Sequence, residues 1–152
     1  MIRIALVYLF FILSRVSVFS QEIHEIPQNV QRIVFLGNSI TYSGEYITYL
    51  ETYYRLKYPC RKIEWINVGL PSETVSGLSE DNHADGAFPR PDLHERLDRV
   101  FDQLKPDLVF VNYGMNDGIY LPLDEDRFQR YKDGITWLEA KITGIGAKVM
   151  LM

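Results

Sequence analysis

Cysteine is nearly absent from this chain. Among 152 residues only Cys60 carries a thiol, so no internal disulfide can form and the fold must be held by its core. Cys60 follows Pro59 and precedes an apolar run, a setting that predicts a small buried side chain rather than a reactive thiol. Histidine is almost as scarce: His24, His83 and His94 are the whole supply, which narrows the choice of general base. No Gly-x-Gly-x-x-Gly or Walker-type loop follows any predicted strand, so a doubly wound nucleotide-binding domain is the weakest of the available readings. Long apolar runs are also missing. The run from Ile4 to Leu13 covers ten residues and is followed by Arg15, short of the roughly 20 that a membrane span needs.

What stands at the start is instead the pattern of a cleaved export signal. Met1 to Arg3 give a basic opening, the apolar run follows, and Val18 and Ser20 supply the small residues that a signal peptidase prefers. Residues 1–20 are therefore expected to be a signal peptide, with the mature chain beginning near Gln21 and the protein secreted or periplasmic, without stable membrane insertion. That cleavage would remove Arg3 and Arg15 and no acid, leaving 14 basic against 20 acidic residues, a net charge of −6. Such a balance disfavours nucleic acid and anionic membranes as partners.

The remainder, with 47% hydrophobic and 13% aromatic residues over the whole chain, has ample material for one packed domain. Residues 21–31 are polar and irregular and predict a lead-in on the surface. Arg32 to Gly37 (RIVFLG) is an apolar, β-branched run that predicts a buried strand. Gly44 to Tyr58 carries Ile47, Leu50, Tyr54 and Tyr58 at helical spacing and stops at Pro59. Lys62 to Val68 predicts a second strand, alternating less cleanly at Asn67. Gly69 to Pro91 has no sustained period, a length of loop that in compact domains is usually functional or disordered; a helical turn capped by Ser72 is expected at Ser72 to Ser76. Asp92 to Leu104 predicts a helix with Asp92 as its cap and Leu93, Leu97, Val100, Phe101 and Leu104 on one face. Asp107 to Asn112 is a third strand, Gly114 to Leu123 a loop, and Asp124 to Thr143 a helix striped by Phe128, Tyr131, Ile135, Leu138 and Ile142. Ala147 to Met152 begins a fourth strand. Alternating strands and helices imply a parallel sheet with right-handed crossovers, and such sheets bind ligands at the carboxyl ends of their strands.

Three motifs stand at those ends. Gly37-Asn38-Ser39-Ile40-Thr41 puts a serine on the sharp passage from strand to helix, good placement for a nucleophile and equally ordinary turn chemistry. Asn67-Val68-Gly69 offers a glycine whose N–H can face a ligand, or simply a turn. Gly114-Met115-Asn116-Asp117-Gly118 can aim the Asn116 amide at the same edge, and is also a common turn sequence. Together they supply a nucleophile and oxyanion donors, the two things acyl transfer most needs.

These three blocks, in their order and spacing, resemble those of SGNH (GDSL-type) hydrolases. The resemblance runs from about Arg32 to Met152, and Leu70 to Thr74 and Ala87 to Pro91 are similar to a bacterial subgroup. It implies a three-layer α/β/α sandwich of flavodoxin-like topology around a five-stranded parallel sheet, and a serine hydrolase acting on small acyl esters, often acetyl groups on carbohydrates. Ser39 would be the nucleophile, and the oxyanion would be held by the N–H groups of Ser39 and Gly69 and the side chain of Asn116. No metal or organic cofactor is implied. Asn38 replaces the usual aspartate and is expected to keep its local hydrogen bonding. The family's Asp-x-x-His motif is not found, so the domain at 32–152 is expected to be incomplete after the fourth strand. The alternative is a carbohydrate- or ester-binding module that keeps the pocket without turnover.

The remaining candidates are weaker. His24 and His94 are expected in solvent, and His83, in the long loop, is expected at the surface although it is the one histidine placed to substitute as base. Asp81, His83, Asp85, Gly86 and Asp92 faintly mimic a calcium loop, but an imidazole suits a hard cation poorly and Asp92 is shorter than the usual glutamate. The acids at Asp124 to Asp126 read as helix-start charges. Tyr42, Tyr46, Tyr49, Tyr53 and Tyr113 can line a sugar surface, but core and rim packing accounts for aromatics in these positions.

Overall fold

A computed structural model describes residues 25–152; the expected signal segment and His24 lie outside them. Four parallel strands form one sheet in the order β2-β1-β3-β4: β1 (Arg32–Gly37), β2 (Glu64–Asn67), β3 (Leu108–Asn112) and β4 (Lys148–Leu151). The helices are α1 (Ser39–Ser43), α2 (Glu45–Lys57), α3 (Leu97–Leu104) and α4 (Glu125–Gly144). No helix among the described residues is long and apolar enough to cross a membrane.

Both faces of the sheet are covered, as continuous apolar strands require. On β1, Val34 and Leu36 face one side and join Val109, Val111, Leu97, Phe101, Leu138 and Ile142. Ile33 and Phe35 face the other and join Leu108, Phe110, Ile47 and Tyr54. Phe35 stacks between Phe110 and Trp65, with ring centroids 4.9 and 5.8 Å away. The result is the α/β/α sandwich that the order of elements predicts.

Several expectations need correction. The lead-in is not all surface: Ile26 and Val30 are buried in the second core, because α2 by itself leaves part of that face open. The Tyr54 hydroxyl accepts from the Ile26 N–H at 2.6 Å, and the Arg61 guanidinium donates to the carbonyls of Ile26, Pro27 and Val30. Cys60 is exposed, since the chain turns at Pro59-Cys60 before the core is reached. Ser72 caps no helix. Its φ of +66° is left-handed, and the segment runs extended so that Thr74 pairs with Asp92. Phe128, expected in the stripe of α4, is 46% exposed.

The helix expected from Asp92 is broken in two. Asp92 does cap it, accepting from the His94 N–H at 2.9 Å, but a 3-10 turn (Leu93–Glu95) precedes α3. At the break Arg96 turns its guanidinium inward. It meets Glu73, which is fully buried, through two bonds of 2.5 and 2.6 Å, and it also donates to the Val68 carbonyl at 2.9 Å. The Tyr113 hydroxyl donates to the same carboxylate, and burial, with the Glu73 charge beside it, pushes the Tyr113 phenol well above its ordinary value.

Candidate active site

Ser39 is the first residue of α1 and is exposed at the carboxyl end of β1. Asn38 before it is buried, and its Oδ1 accepts from the Ile40 N–H at 3.1 Å. The cap survives the loss of the usual aspartate because one carbonyl oxygen is enough for this bond. Two glycines let the backbone fold this tightly. A Cβ on Gly37 would stand 2.2 Å from Thr41 Oγ1 and 2.7 Å from the Asn112 carbonyl, so the start of α1 can settle onto the end of β3 only here. Gly44, at φ +77°, ends α1 and turns the chain into α2.

The loop after β2 is fastened over the same turn. Leu70 N–H donates to the Gly37 carbonyl at 2.9 Å. Asn67, whose place in β2 disturbs the alternation, bridges the two segments: its Nδ2 donates to the Thr41 carbonyl at 2.7 Å, and its Oδ1 accepts from the Gly69 N–H at 2.9 Å. The Gly69 N–H expected to be bare is thus engaged. An asparagine two residues ahead of a free amide satisfies it through an Asx turn, and an oxyanion would have to share or displace that bond.

Asn116 lies in the loop after β3 and is buried. Its Nδ2 donates to the Glu73 carbonyl at 3.1 Å, and its Oδ1 accepts from the Tyr120 hydroxyl at 3.2 Å. Asp117, readable in sequence only as a turn residue, is a buried clamp. Its Oδ1 accepts from the N–H groups of Val75 and Ser76 at 2.9 and 2.8 Å, and its Oδ2 from Gly114 N–H at 3.1 Å. The loops after β2 and β3 are therefore held to each other by backbone donors on a buried carboxylate, while Asn67 and Leu70 hold the β2 loop to the Ser39 turn.

Arg90, which the sequence marked only as part of the Ala87 to Pro91 stretch, and Glu80 also belong to this edge. Arg90 is buried and bonds both oxygens of Glu80 at 2.6 Å. That hydrogen-bonded ion pair holds the Glu80 carboxyl down at about 2. Arg90 also lies over the Tyr120 ring, 5.3 Å from its centroid. Of the expected tyrosines, Tyr113 is core, Tyr46 is half-buried and bonded to Thr41 Oγ1 at 3.0 Å, and Tyr42, Tyr49 and Tyr53 are exposed.

No hydrogen bond joins a histidine to Ser39 among the described residues. His83 is not free at the surface: it faces Glu80 at 3.4 Å and meets Phe88 edge-on, because the loop folds back to pair Glu80 with Arg90. His94 is exposed, bonded to Asp92 at 2.6 Å and tilted against Trp137, with ring centroids 3.9 Å apart. Among the described residues no three of His, Cys, Asp or Glu gather as a metal site. A cleft of about 610 Å³ lies at the opposite edge of the sheet among Arg32, Arg61, Lys62, Glu64 and Asp107, away from the strand ends where parallel sheets place their chemistry.

No family model matches the sequence, and no curated protein matches it. Solved structures do. Axe2, an acetylxylan esterase from Geobacillus stearothermophilus, superimposes with a TM-score of 0.60 at 22% identity, covering 80% of this chain and 58% of its own. The psychrotrophic esterase EstA from Pseudoalteromonas sp. gives 0.57 at 24%, covering 80% and 58%. A gut microbial diltiazem-metabolizing enzyme gives 0.65 at 24%, covering 84% of this chain and 27% of its own. The chain thus has the α/β sandwich fold of these proteins, the fold class that its order of strands and helices predicted, and spans less than two thirds of their length.

Proposed function

We propose that this fold carries a serine ester hydrolase of SGNH type, with Ser39 as nucleophile. The observation that supports it best is the meeting at one sheet edge of an exposed serine at a helix start, the Gly69 loop tied to the next turn by Asn67, and a buried Asn116. In the reaction the Ser39 hydroxyl adds to the ester carbonyl and passes its proton to a base. The carbonyl electron pair becomes an oxyanion, bonded by the Ser39 and Gly69 N–H groups and by Asn116 Nδ2. Collapse expels the alcohol with that proton, and water then cleaves the acyl-serine to give the acid and free Ser39. The base must stand within about 3 Å of Ser39 Oγ, and an imidazole of the Asp-x-x-His kind is the group the reading calls for.

The substrate class is a small acyl ester, with acetylated carbohydrate favoured by two things: the acetylxylan esterase among the similar structures, and the exposed rings of Tyr42 and Tyr120, 64% and 70% accessible, which suit stacking against sugar. Residues 1–20 would export the protein to where such esters occur.

A second reading, a binding module without turnover, draws on one specific finding, the Gly69 N–H already bonded to Asn67. A fluorophosphonate probe applied to the exported protein separates the two. Labelling that disappears in Ser39→Ala supports the hydrolase; a folded protein that takes no label supports the module.

A further inference from the structure

We propose that Tyr120 is a positioning residue that fixes the orientation of the Asn116 carboxamide. The inference rests on the hydrolase reading of Asn116 and extends it. A primary amide has two ends of nearly equal shape, and only one can donate to an oxyanion. Here the surroundings distinguish them. The Glu73 carbonyl, 3.1 Å away, takes one Nδ2 hydrogen, and the Tyr120 hydroxyl, 3.2 Å away, donates to Oδ1. Turning the amide over would set its oxygen against the Glu73 carbonyl, two acceptors in a buried place where neither finds water. With the oxygen held and one hydrogen spent, the second Nδ2 hydrogen remains as the donor.

The backbone bends unusually to bring Tyr120 there. Ile119 and Tyr120 have φ of +45° and +54°, a left-handed pair without glycine that persists only where neighbours over-determine it. The Tyr120 hydroxyl bond is one such restraint. The other is Arg90, buried and fixed by Glu80 at 2.6 Å, with its guanidinium over the ring. The charge favours the ring face, and Arg90 thereby links the Glu80 loop to the orientation of Asn116.

The test is Tyr120→Phe in the full natural protein, which keeps the ring over Arg90 and removes only the hydroxyl. Turnover of p-nitrophenyl acetate should fall about tenfold in kcat with KM nearly unchanged, and the same change made on Asn116→Ala should have no further effect. In a 15N spectrum the Asn116 side-chain resonances should move and their hydrogens exchange faster. An unchanged kcat in an enzyme that Ser39→Ala inactivates overturns the role of Tyr120 and leaves the hydrolase reading standing. If Ser39→Ala costs nothing, or there is no turnover to lose, the hydrolase reading fails, and the Asn116 resonances still decide: moved, Tyr120 orients the amide; unmoved, it does not.

Discussion

A Cβ built on Gly69 would stand 2.3 Å from the backbone nitrogen of Tyr42 and 2.7 Å from the Thr41 carbonyl carbon. These are backbone atoms and cannot rotate away. Gly69→Ala should therefore push the β2 loop off the Ser39 turn and cost about 1–3 kcal/mol, the range for overpacking. Gly118→Ala, with nothing within 4 Å of the added carbon, is the control. Urea midpoints of the two variants measure the difference, and equal midpoints would show that the loop simply yields.

Arg96→Met should be the more damaging change in the interior. It leaves the fully buried Glu73 carboxylate with the Tyr113 hydroxyl but no cation, and removing one partner of a buried pair costs about 3–5 kcal/mol. Adding Glu73→Gln to Arg96→Met should recover part of the loss. Denaturant curves of the single and double variants decide it; a double variant no more stable than the single would mean that the charge is not what matters.

If the proposed hydrolase reading holds, Asn116→Ala should lower kcat toward p-nitrophenyl acetate by about 10² to 10³, since one preorganised oxyanion donor contributes about 3 to 4 kcal/mol. Substrate affinity should change far less. Steady-state kinetics on the full natural protein give both numbers, and a variant keeping more than about a third of its kcat would make Asn116 a loop fastener only.

Glu80 makes the loop at residues 77–91 sensitive to acid. Its carboxyl sits at about 2 in the fold against an ordinary 4.5, chiefly through its hydrogen bonds to Arg90. A depressed carboxylate contributes stability that is present above its unfolded value and lost as pH falls toward its folded one, here between about pH 4.5 and 2. Limited proteolysis at stepped pH should show cleavage in this loop rising across that window. In Glu80→Gln the loop should be cut more readily at pH 6 and its susceptibility should change less on acidification.

N-terminal sequencing of the exported protein should begin at or near Gln21. Recovery of an intact Met1 in the membrane fraction would instead indicate an anchor.

The strands, the helices and the edge of the sheet that carries the motifs were legible in local pattern. RIVFLG and LVFVN are apolar on both faces because both faces are covered, and the stripe at Ile47 and Tyr54 could serve only a helix. Local pattern misled where a distant group decided. Arg96 lies in the middle of a helical periodicity, yet the helix breaks there and its side chain goes to Glu73, 23 residues earlier. Ile26 and Val30 sit in polar surroundings along the chain, yet they cover what α2 leaves exposed.

The sequence by itself determined the class of fold and put Ser39, Gly69 and Asn116 each just beyond a strand, because strand, turn and helix preferences are local and the ends of parallel strands share one edge. The tertiary structure decided how those residues are held: the Gly69 N–H on Asn67, the Asn116 amide between Glu73 and Tyr120, and Asp117 on the backbone of Val75 and Ser76. Polar side chains choose partners by position in space, and a carboxylate or amide in a loop carries no periodicity that announces which distant N–H it will meet.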